Sequence, residues 1–253
     1  MHQTTRTKHS PIRRRISQIF AAAIAMTLAA QAKDEAAAPK KIGWIEPVEQ
    51  NIEGWAVQVD PALLSGEHQE EGAKALKMLA NHLQRIAILI PAKPLGGLRK
   101  VTIRIERDHP ELKSMQYHPD AEWLVEHGYD PRLVKNVHIP VAAELVSRDQ
   151  MLKHPAVILH ELAHAYHDQV LGFGDAGILK AYGEAMKKGI YEKCLLFNGT
   201  QVKHYATTDE KEYFAEATEA YFYRNDFYPF VRAELEIHDP LGCAEVKRAW
   251  SAE

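Results

Sequence analysis

His160 and His164 stand four residues apart in the stretch HELAH, which covers residues 160–164. On an α-helix, residues four apart lie one turn from each other on the same face, so both imidazoles can reach one metal ion. Glu161 lies beside them, in a position to hold a water molecule instead of the metal. This HExxH arrangement is typical of zinc peptidases, in which the two histidines bind the metal and the glutamate acts as general base.

The same pattern can also occur by chance on the polar face of an amphipathic helix, because the chain contains 14 histidines. Its context favours a metal site. The apolar run AVIL at 156–159 directly precedes the motif and would bury the first part of the helix, which would hold the histidines rigidly. Gly172 is a suitable residue to end this helix. We therefore predict a metal-binding helix over residues 155–171.

Two further polar residues, His167 and Asp168, follow on the same helix. Asp168 lies four residues after His164 and could accept the distal N–H of this ligand, a common supporting contact at metal sites. An exposed carboxylate at the helix end is an equally good interpretation. His167 is too far along the helix to join both ligands on one ion, and we expect it at the surface or beside the site.

A catalytic zinc ion needs a third protein ligand and one open position. The extended pattern HExxHxxGxxH is not present, because His167 and Val170 occupy the positions of its glycine and its last histidine. The third ligand must therefore come from another element. A helix predicted at 209–224 and capped by Asp209 offers several carboxylates: Glu210, Glu212, Glu216 and Glu219.

Three of these carboxylates, Glu212, Glu216 and Glu219, share one face of the helix, because they are spaced at i, i+4 and i+7. Burying three acidic side chains on one stripe would be costly unless a positive group faced them. A zinc ion and the histidine helix would supply that charge. The alternative is an exposed acidic face.

The HELAH helix and the later stretch EYFAE at 212–216, with Tyr205 seven residues before Glu212, resemble the anthrax lethal factor and Pro-Pro endopeptidase family of zinc metallopeptidases. The resemblance covers roughly residues 100–240 and is specific only in these two motifs. It implies that Glu212 is the third zinc ligand and that Glu216 orients a ligand histidine. It also implies that the hydroxyl of Tyr205 points at the reacting oxygen. His204 is the alternative residue for that role.

The resemblance further implies a zincin-like α+β fold. Such a fold has a small mixed sheet and a long helix in the N-terminal half, an all-helical C-terminal half, and an active-site cleft between them. The implied activity is hydrolysis of peptide bonds in a protein or peptide substrate, with one Zn²⁺ per chain. No substrate-pocket residue can be matched, so no cleavage preference is implied. Two alternatives stay open: a zinc-dependent binding or structural protein without turnover, and a zinc hydrolase that acts on a cell-wall peptide.

Residues 1–32 have the composition of a secretory signal peptide. Basic residues precede the apolar stretch 19–30, and the small residues at its end suit cleavage after Ala32. The apolar stretch is too short to span a bilayer, although a single N-terminal anchor helix is the alternative. We predict export to the periplasm or the extracellular space, a short disordered lead-in at 33–40, and one metallopeptidase domain at 41–253.

Removal of the signal peptide takes away five positive charges and no negative ones, so that the formal net charge changes from −3 to −8. We do not expect such an acidic chain to bind nucleic acid, or a membrane once the signal peptide is removed. Cys194 and Cys243 are the only cysteines of the sequence, and they either pair in an oxidising compartment or remain two buried thiols. The sequence gives no indication of the oligomeric state.

Apolar periodicity predicts strands and helices in the first half of the chain and helices alone in the second. The predicted elements are, in chain order, strands 41–45 and 54–60, helix 67–90, strand 101–106, helix 120–128, strand 136–141, and helices 155–171, 176–196, 209–224, 229–237 and 242–250. Pro140 predicts that strand 136–141 lies at a sheet edge above the cleft, where an extended peptide could bind by strand addition. Tyr117 and His118 are candidates for the cleft rim.

Overall fold

Short apolar alternations and one long amphipathic segment build the N-terminal half of the protein. The computed structural model describes residues 41–251, and the signal peptide and lead-in predicted at 1–40 lie outside the described residues. The elements of this half are β1 (Val48–Ile52), β2 (Trp55–Val59), α1 (Gln69–Leu89), α2 (Ala92–Leu98), β3 (Ile103–Ile105), β4 (Gln116–Tyr117), α3 (Ala121–Glu126) and β5 (Val137–Ile139).

Helices dominate the C-terminal half. Its elements are α4 (Ala142–Leu145), α5 (Arg148–Lys153), α6 (Val157–Tyr166) with a π-helical extension (His167–Leu171), α7 (Ala176–Lys188), β6 (Cys194–Leu195), β7 (Gln201–Val202), α8 (Glu210–Phe222), α9 (Arg232–His238) and α10 (Pro240–Trp250). The predicted combination of a small mixed sheet with many helices is therefore confirmed.

Within the described residues, five strands form one mixed sheet in the order β1-β2-β3-β5-β4. Strands β2, β3 and β5 run parallel, β1 is antiparallel to β2, and β4 is antiparallel to β5. The prediction that strand 136–141 lies at the sheet edge is wrong, because β5 lies between β3 and β4, and β4 forms the edge. Pro140 follows the last residue of β5 and so removes no hydrogen bond from the ladder.

The sheet is covered on both faces. Ile103 and Ile105 of β3 belong to the main apolar core. Arg104 lies between them in the sequence and points to the opposite face, where it is fully buried beside His138 of β5. Arg104 Nε donates a hydrogen bond to Gln58 Oε1 at 2.9 Å, so this second face is polar although it is buried.

The long helix α1 connects the sheet to the histidine motif. Leu79, Leu83 and Ile86 recur at i, i+4 and i+7, and all three are buried in the main core. Ile158 and Leu162 of α6 lie in the same core, and α1 and α6 contact each other. The helix that carries HELAH is therefore anchored to the N-terminal half by apolar packing.

Three β-elements escape the sequence prediction: β1, the edge strand β4, and the hairpin of β6 and β7. β1 pairs only with β2 and has mostly exposed side chains, so its sequence VEQNI shows no apolar alternation. The predicted strand 41–45 is wrong, because within it only Ile42 forms a β-bridge, to Tyr129. The hairpin of β6 and β7 corrects the prediction of an all-helical second half. α7 ends at Lys188 because Gly189 adopts the left-handed conformation, with φ 66°.

Both cysteines are buried free thiols, Cys194 at the start of β6 and Cys243 on α10. Of the two alternatives for these residues, the structure therefore contains the unpaired one. None of the helices within residues 41–251 combines the length and the apolar character that a membrane span requires.

The buried side chain of His82 on α1 predicts a pH dependence of stability. Burial, together with the positive charge of Arg85, lowers the pKa of His82 to about 4. An unfolded histidine has a pKa of about 6.5, so the unfolded chain binds more protons between these values, and the free energy of unfolding falls as pH falls through this window. We expect His82→Leu to remove on the order of 2–3 kcal/mol of this loss between pH 6.5 and 4.

The measurement is denaturant unfolding at several pH values in the presence of a chelator, so that release of metal does not contribute. His127→Leu is the matched control, because His127 is exposed at the end of α3. If the free energy of unfolding of His82→Leu depends on pH as in the wild type, the lowered pKa of His82 is not the cause of the loss of stability.

Candidate metal centre

Helices α6 and α8 pack against each other and bring the predicted ligands together. Glu212 Oε2 lies 3.0 Å from His160 Nε2 and 3.3 Å from His164 Nε2. The two histidine nitrogens are 3.1 Å apart. Two imidazole nitrogens and one carboxylate oxygen thus form a nearly equilateral triangle, although the residues come from elements about fifty positions apart.

This triangle fits a zinc ion. Zinc binds nitrogen and oxygen ligands at about 2.0–2.2 Å with tetrahedral geometry, which requires the donor atoms to lie roughly 3.3 Å from one another. The observed separations are 3.0–3.3 Å. Two histidines and one glutamate also form a donor set that zinc uses in catalytic sites. All three residues line a cleft of about 760 Å³, so a fourth position of the ion would face open space.

Local sequence explains why the ligands are held firmly. α6 is buried along nearly its whole length, since apolar residues such as Ile158 and Leu162 surround the histidines in the sequence. In α8, Asp209 caps the N-terminus as predicted, and its carboxylate accepts hydrogen bonds from the backbone N–H groups of Lys211 and Glu212, both at 2.9 Å. The cap therefore fixes the first turn, which carries the carboxylate ligand.

A second carboxylate of α8 contacts the other ring nitrogen of His160. Glu219 Oε1 lies 2.7 Å from His160 Nδ1. The family resemblance implies this contact for Glu216, but Glu216 Oε1 is 3.8 Å from the same nitrogen. The reason is that Asn225 holds Glu216, since its amide Nδ2 donates to Glu216 Oε2 and to the Glu216 carbonyl, both at 2.8 Å. The supporting residue is therefore Glu219.

His154 joins this inner group, although no motif or spacing in the sequence indicates it. Its Nε2 lies 3.2 Å from Glu219 Oε1, and its ring is 5.3 Å from the ring of His160 in an edge-to-face arrangement. His154 follows α5 in a loop, six residues before the HELAH motif, where helical spacing gives no signal. His154, His160, Glu216 and Glu219 thus form a second cluster within metal-binding distance.

The two clusters have different roles because they share His160. A neutral imidazole offers one nitrogen with a lone pair, and its other nitrogen carries a proton. With Glu219 Oε1 2.7 Å from Nδ1, a neutral His160 that binds a metal ion would carry its proton on Nδ1 and use Nε2 as the ligand atom. The triangle at Nε2 is therefore the candidate metal site of the two, and the inner cluster hydrogen-bonds its first histidine from the other side.

The inner carboxylates are held in an unusual electrostatic environment. Burial and the neighbouring Glu219 raise the pKa of Glu216 to about 8, and burial raises the pKa of Asp226 to about 6. Burial would also raise the pKa of Glu219, but the charges and hydrogen bonds of His154 and His160 lower it. Of the three, Glu219 is thus the group that carries negative charge most readily.

Glu161 is buried beside the triangle and lines the same cleft. Its Oε2 accepts a hydrogen bond from the backbone N–H of Tyr117 at 2.8 Å. Tyr117 belongs to the edge strand β4, so the sheet orients the carboxylate that follows the first histidine ligand. Burial raises the pKa of Glu161, which brings it nearer to the range that suits a general base. The Tyr117 side chain is itself buried, and its hydroxyl donates a hydrogen bond to Asp168. Tyr117 therefore does not form part of the cleft rim, contrary to what the sequence had suggested.

Asp168 contacts different partners from the one predicted. Its Oδ2 accepts a hydrogen bond from the Tyr117 hydroxyl at 2.6 Å and pairs with Lys135 Nζ, instead of binding His164. The π-helical turn that begins at His167 is wider than an α-helical turn, so a residue four positions after His164 no longer lies above it. Asp168 therefore ties the edge strand to the end of the histidine helix.

His167 is fully buried, whereas its position on the predicted helix indicated the surface or a place beside the site. Its ring packs against Phe173 and Phe214, with ring centroids 5.1 Å and 5.0 Å away. Neither ring nitrogen has a hydrogen-bond partner among the described residues, and burial lowers the pKa of His167 to about 4. His167 therefore behaves as a neutral core residue.

Tyr205 and His204 lie in the turn before α8, and their environments differ. The Tyr205 hydroxyl is 3.5 Å from Glu212 Oε1, and the side chain is partly exposed and lines the cleft. The His204 ring is buried, stacks on Phe227, and accepts the backbone N–H of Ala206 at its Nδ1. His204 therefore supports the turn, and Tyr205 is the residue whose polar atom reaches the site.

Comparisons with family models, with curated proteins and with solved structures found no match to this chain.

The ligand triangle predicts which glutamate of α8 is required for metal binding. We expect Glu212→Ala to lose zinc, because two histidines alone hold the ion much less tightly than three ligands. Glu216→Ala should retain zinc, because the Glu216 carboxylate is bound to Asn225 and not to a ligand. The measurement is the zinc content of purified protein together with the dissociation constant from chelator competition.

Glu210→Ala is the matched control on the same helix, since Glu210 lies outside both clusters. Wild-type zinc affinity in Glu212→Ala, or loss of zinc in Glu216→Ala, would mean that the ligand set is misassigned.

Proposed function

We propose that this protein is an exported zinc-dependent endopeptidase with a zincin-like domain, similar to the anthrax lethal factor and Pro-Pro endopeptidase family. The observation that carries the proposal is the 3.0–3.3 Å triangle of His160, His164 and Glu212 in one cleft with Glu161. These three residues would hold one Zn²⁺ per chain. Such an ion, when bound, polarises the scissile carbonyl and makes water more acidic.

Glu161 is the proposed general base. It removes a proton from the attacking water and delivers the proton to the leaving amine. Two features support this role: burial raises the pKa of the carboxyl group, and the Tyr117 N–H holds one of its oxygens while the other stays free. A protein that only bound zinc would not need a carboxylate held in this way, which favours catalysis over a purely structural role.

Tyr205 is the proposed donor to the substrate oxygen. Its hydroxyl lies at the edge of the triangle, 3.5 Å from Glu212, and faces the cleft. As negative charge develops on the scissile carbonyl oxygen, a phenolic O–H at this position donates a hydrogen bond that strengthens in the transition state.

The substrate is proposed to be an extended protein or peptide segment. Residues 113–116, which lead into and begin the edge strand β4, line one part of the cleft, and Leu196 and Phe227 provide an apolar part. An extended peptide can add to an exposed strand edge by backbone hydrogen bonds. In this proposal β4 replaces strand 136–141 as the binding edge, because β5 is enclosed by its neighbours.

The decisive experiment is a cleavage screen of the purified protein on a peptide library, with zinc content measured on the same sample. The proposal requires that cleavage stops with a chelator and returns with zinc. Zinc-loaded protein that cleaves no peptide in the library, including cell-wall peptides, would contradict the proposal and favour a binding role.

Replacement of the base separates chemistry from metal binding. We expect Glu161→Gln to retain zinc, because the three ligands are unchanged, and to lose peptide cleavage by at least about 100-fold, because the amide cannot accept a proton. Zinc content and kcat on one defined peptide are measured on the same preparation. Glu126→Gln, an exposed substitution on α3, is the control. Full activity of Glu161→Gln would remove Glu161 from the mechanism.

The hydroxyl of Tyr205 should act on the transition state and not on binding. We expect Tyr205→Phe to keep zinc and a nearly normal KM but to lose kcat by on the order of 100-fold, a typical effect of losing one donor of this kind. Tyr223→Phe is the matched control, because Tyr223 is exposed to a similar extent and packs on Arg85 outside the cleft. A wild-type kcat in Tyr205→Phe would show that the ring alone is required.

A further inference from the structure

His154 occupies the boundary between the cleft and the buried carboxylates. It lines the cleft, and its side chain is 22% exposed, whereas Glu219 behind it is fully buried. The loop that carries His154 joins α5 to α6, so the residue reaches the inner cluster from outside both ligand helices. Neither the metal triangle nor the proposed proton transfer uses it.

The hydrogen bonds of Glu219 determine which proton each histidine carries. An ionised carboxylate oxygen can only accept hydrogen bonds. Glu219 Oε1 lies 2.7 Å from His160 Nδ1 and 3.2 Å from His154 Nε2, so both nitrogens are donors. A proton on His160 Nδ1 leaves His160 Nε2 free as a metal ligand.

Glu219 depends on these two histidines for its orientation. Its other oxygen, Oε2, is buried and has no hydrogen-bond partner among the described residues. Among the described residues, neither of the neighbouring carboxyl groups, Glu216 and Asp226, hydrogen-bonds Glu219. Without His154, Glu219 would be held by His160 alone, and His160 is the residue it is required to orient.

We propose that His154 is a positioning residue of the metal centre, which donates a hydrogen bond to Glu219 and thereby holds His160 in the orientation that presents Nε2 to the metal. The inference rests on the proposed function only in assuming that the triangle binds zinc. His154 acts through Glu219 and has no direct contact with the metal, so its removal should change zinc affinity without changing the ligand set.

The test is a double-mutant cycle read by zinc affinity, with chelator competition on the full domain. His154→Phe removes the donor but keeps an aromatic ring, and we expect zinc affinity about tenfold lower, within the range known for supporting contacts of metal ligands. His154→Gln places an amide N–H near the same position and should restore most of the affinity. In the Glu219→Gln background, His154→Phe should lower zinc affinity little further, because His154 acts on the metal centre only through the Glu219 carboxylate.

His154→Asn also removes the donor, because the asparagine side chain is too short for its amide N–H to reach Glu219. This variant gives the same test if His154→Phe does not fold. His127→Gln controls for the loss of any histidine, because His127 is exposed directly after α3. The unfolding temperature of the zinc-free proteins is measured alongside. A positioning role predicts lower zinc affinity in the His154 variants, while the unfolding temperature of the zinc-free proteins stays close to the wild-type value.

Three results would overturn the proposal: wild-type zinc affinity in His154→Phe or His154→Asn, additive effects of the His154 and Glu219 substitutions, or a second zinc ion per chain that the His154 variants lose. Zinc binding without peptide cleavage would contradict only the proposed reaction and leave the role of His154 intact. Unchanged zinc affinity in the His154 variants together with normal cleavage would contradict only the role of His154.

Discussion

Two buried carboxyl groups of α8, Glu216 and Glu219, face the histidines of α6, and the rest of the centre depends on how these two groups are hydrogen-bonded. An ionised group removed from water costs several kcal/mol unless it is paired or hydrogen-bonded. Among the described residues, the groups that hydrogen-bond these two carboxylates are His154, His160 and the amide of Asn225. The histidines of this region are thus needed by α8 itself, apart from any metal ion that they could bind, and removal of one hydrogen-bonding partner would leave the other unsatisfied.

The second condition is that the helices meet at a fixed distance. α6 is buried on nearly all sides, so its histidines have little freedom to change their orientation. The edge strand β4 approaches from the sheet and contributes the Tyr117 N–H to Glu161, while the Tyr117 hydroxyl binds Asp168 at the end of the same helix. Sheet, histidine helix and carboxylate helix therefore converge on one cleft. Each of these three elements contributes a different group to the cleft. A small change in their packing would therefore affect the proposed ligands and the proposed base together.

The sequence by itself determined the features that depend on the repeat of a single helix. His160 and His164 face one point because the α-helix returns to the same face after four residues. The position of Glu161 beside them follows from its place next to His160 on the same helix. The cap at Asp209 and the acidic stripe of α8 are equally local, since they depend on backbone hydrogen bonds within a few residues. The expectation that Glu212 is a metal ligand rests on its place on this stripe and on the two motifs that resemble a known family.

Tertiary structure decided which group on each element makes the contact. Glu216 and Glu219 lie on one stripe, and the choice between them depends on how α8 crosses α6 and on an amide from a turn beyond the helix end. His154 reaches the site from a loop, where no periodicity indicates direction, and Asp168 turns away from the ligands because a π-helical turn replaces the regular repeat. Local periodicity is determined by backbone hydrogen bonds between near neighbours. A contact between elements depends on packing over the whole core, where a displacement of about one ångström decides whether a hydrogen bond forms.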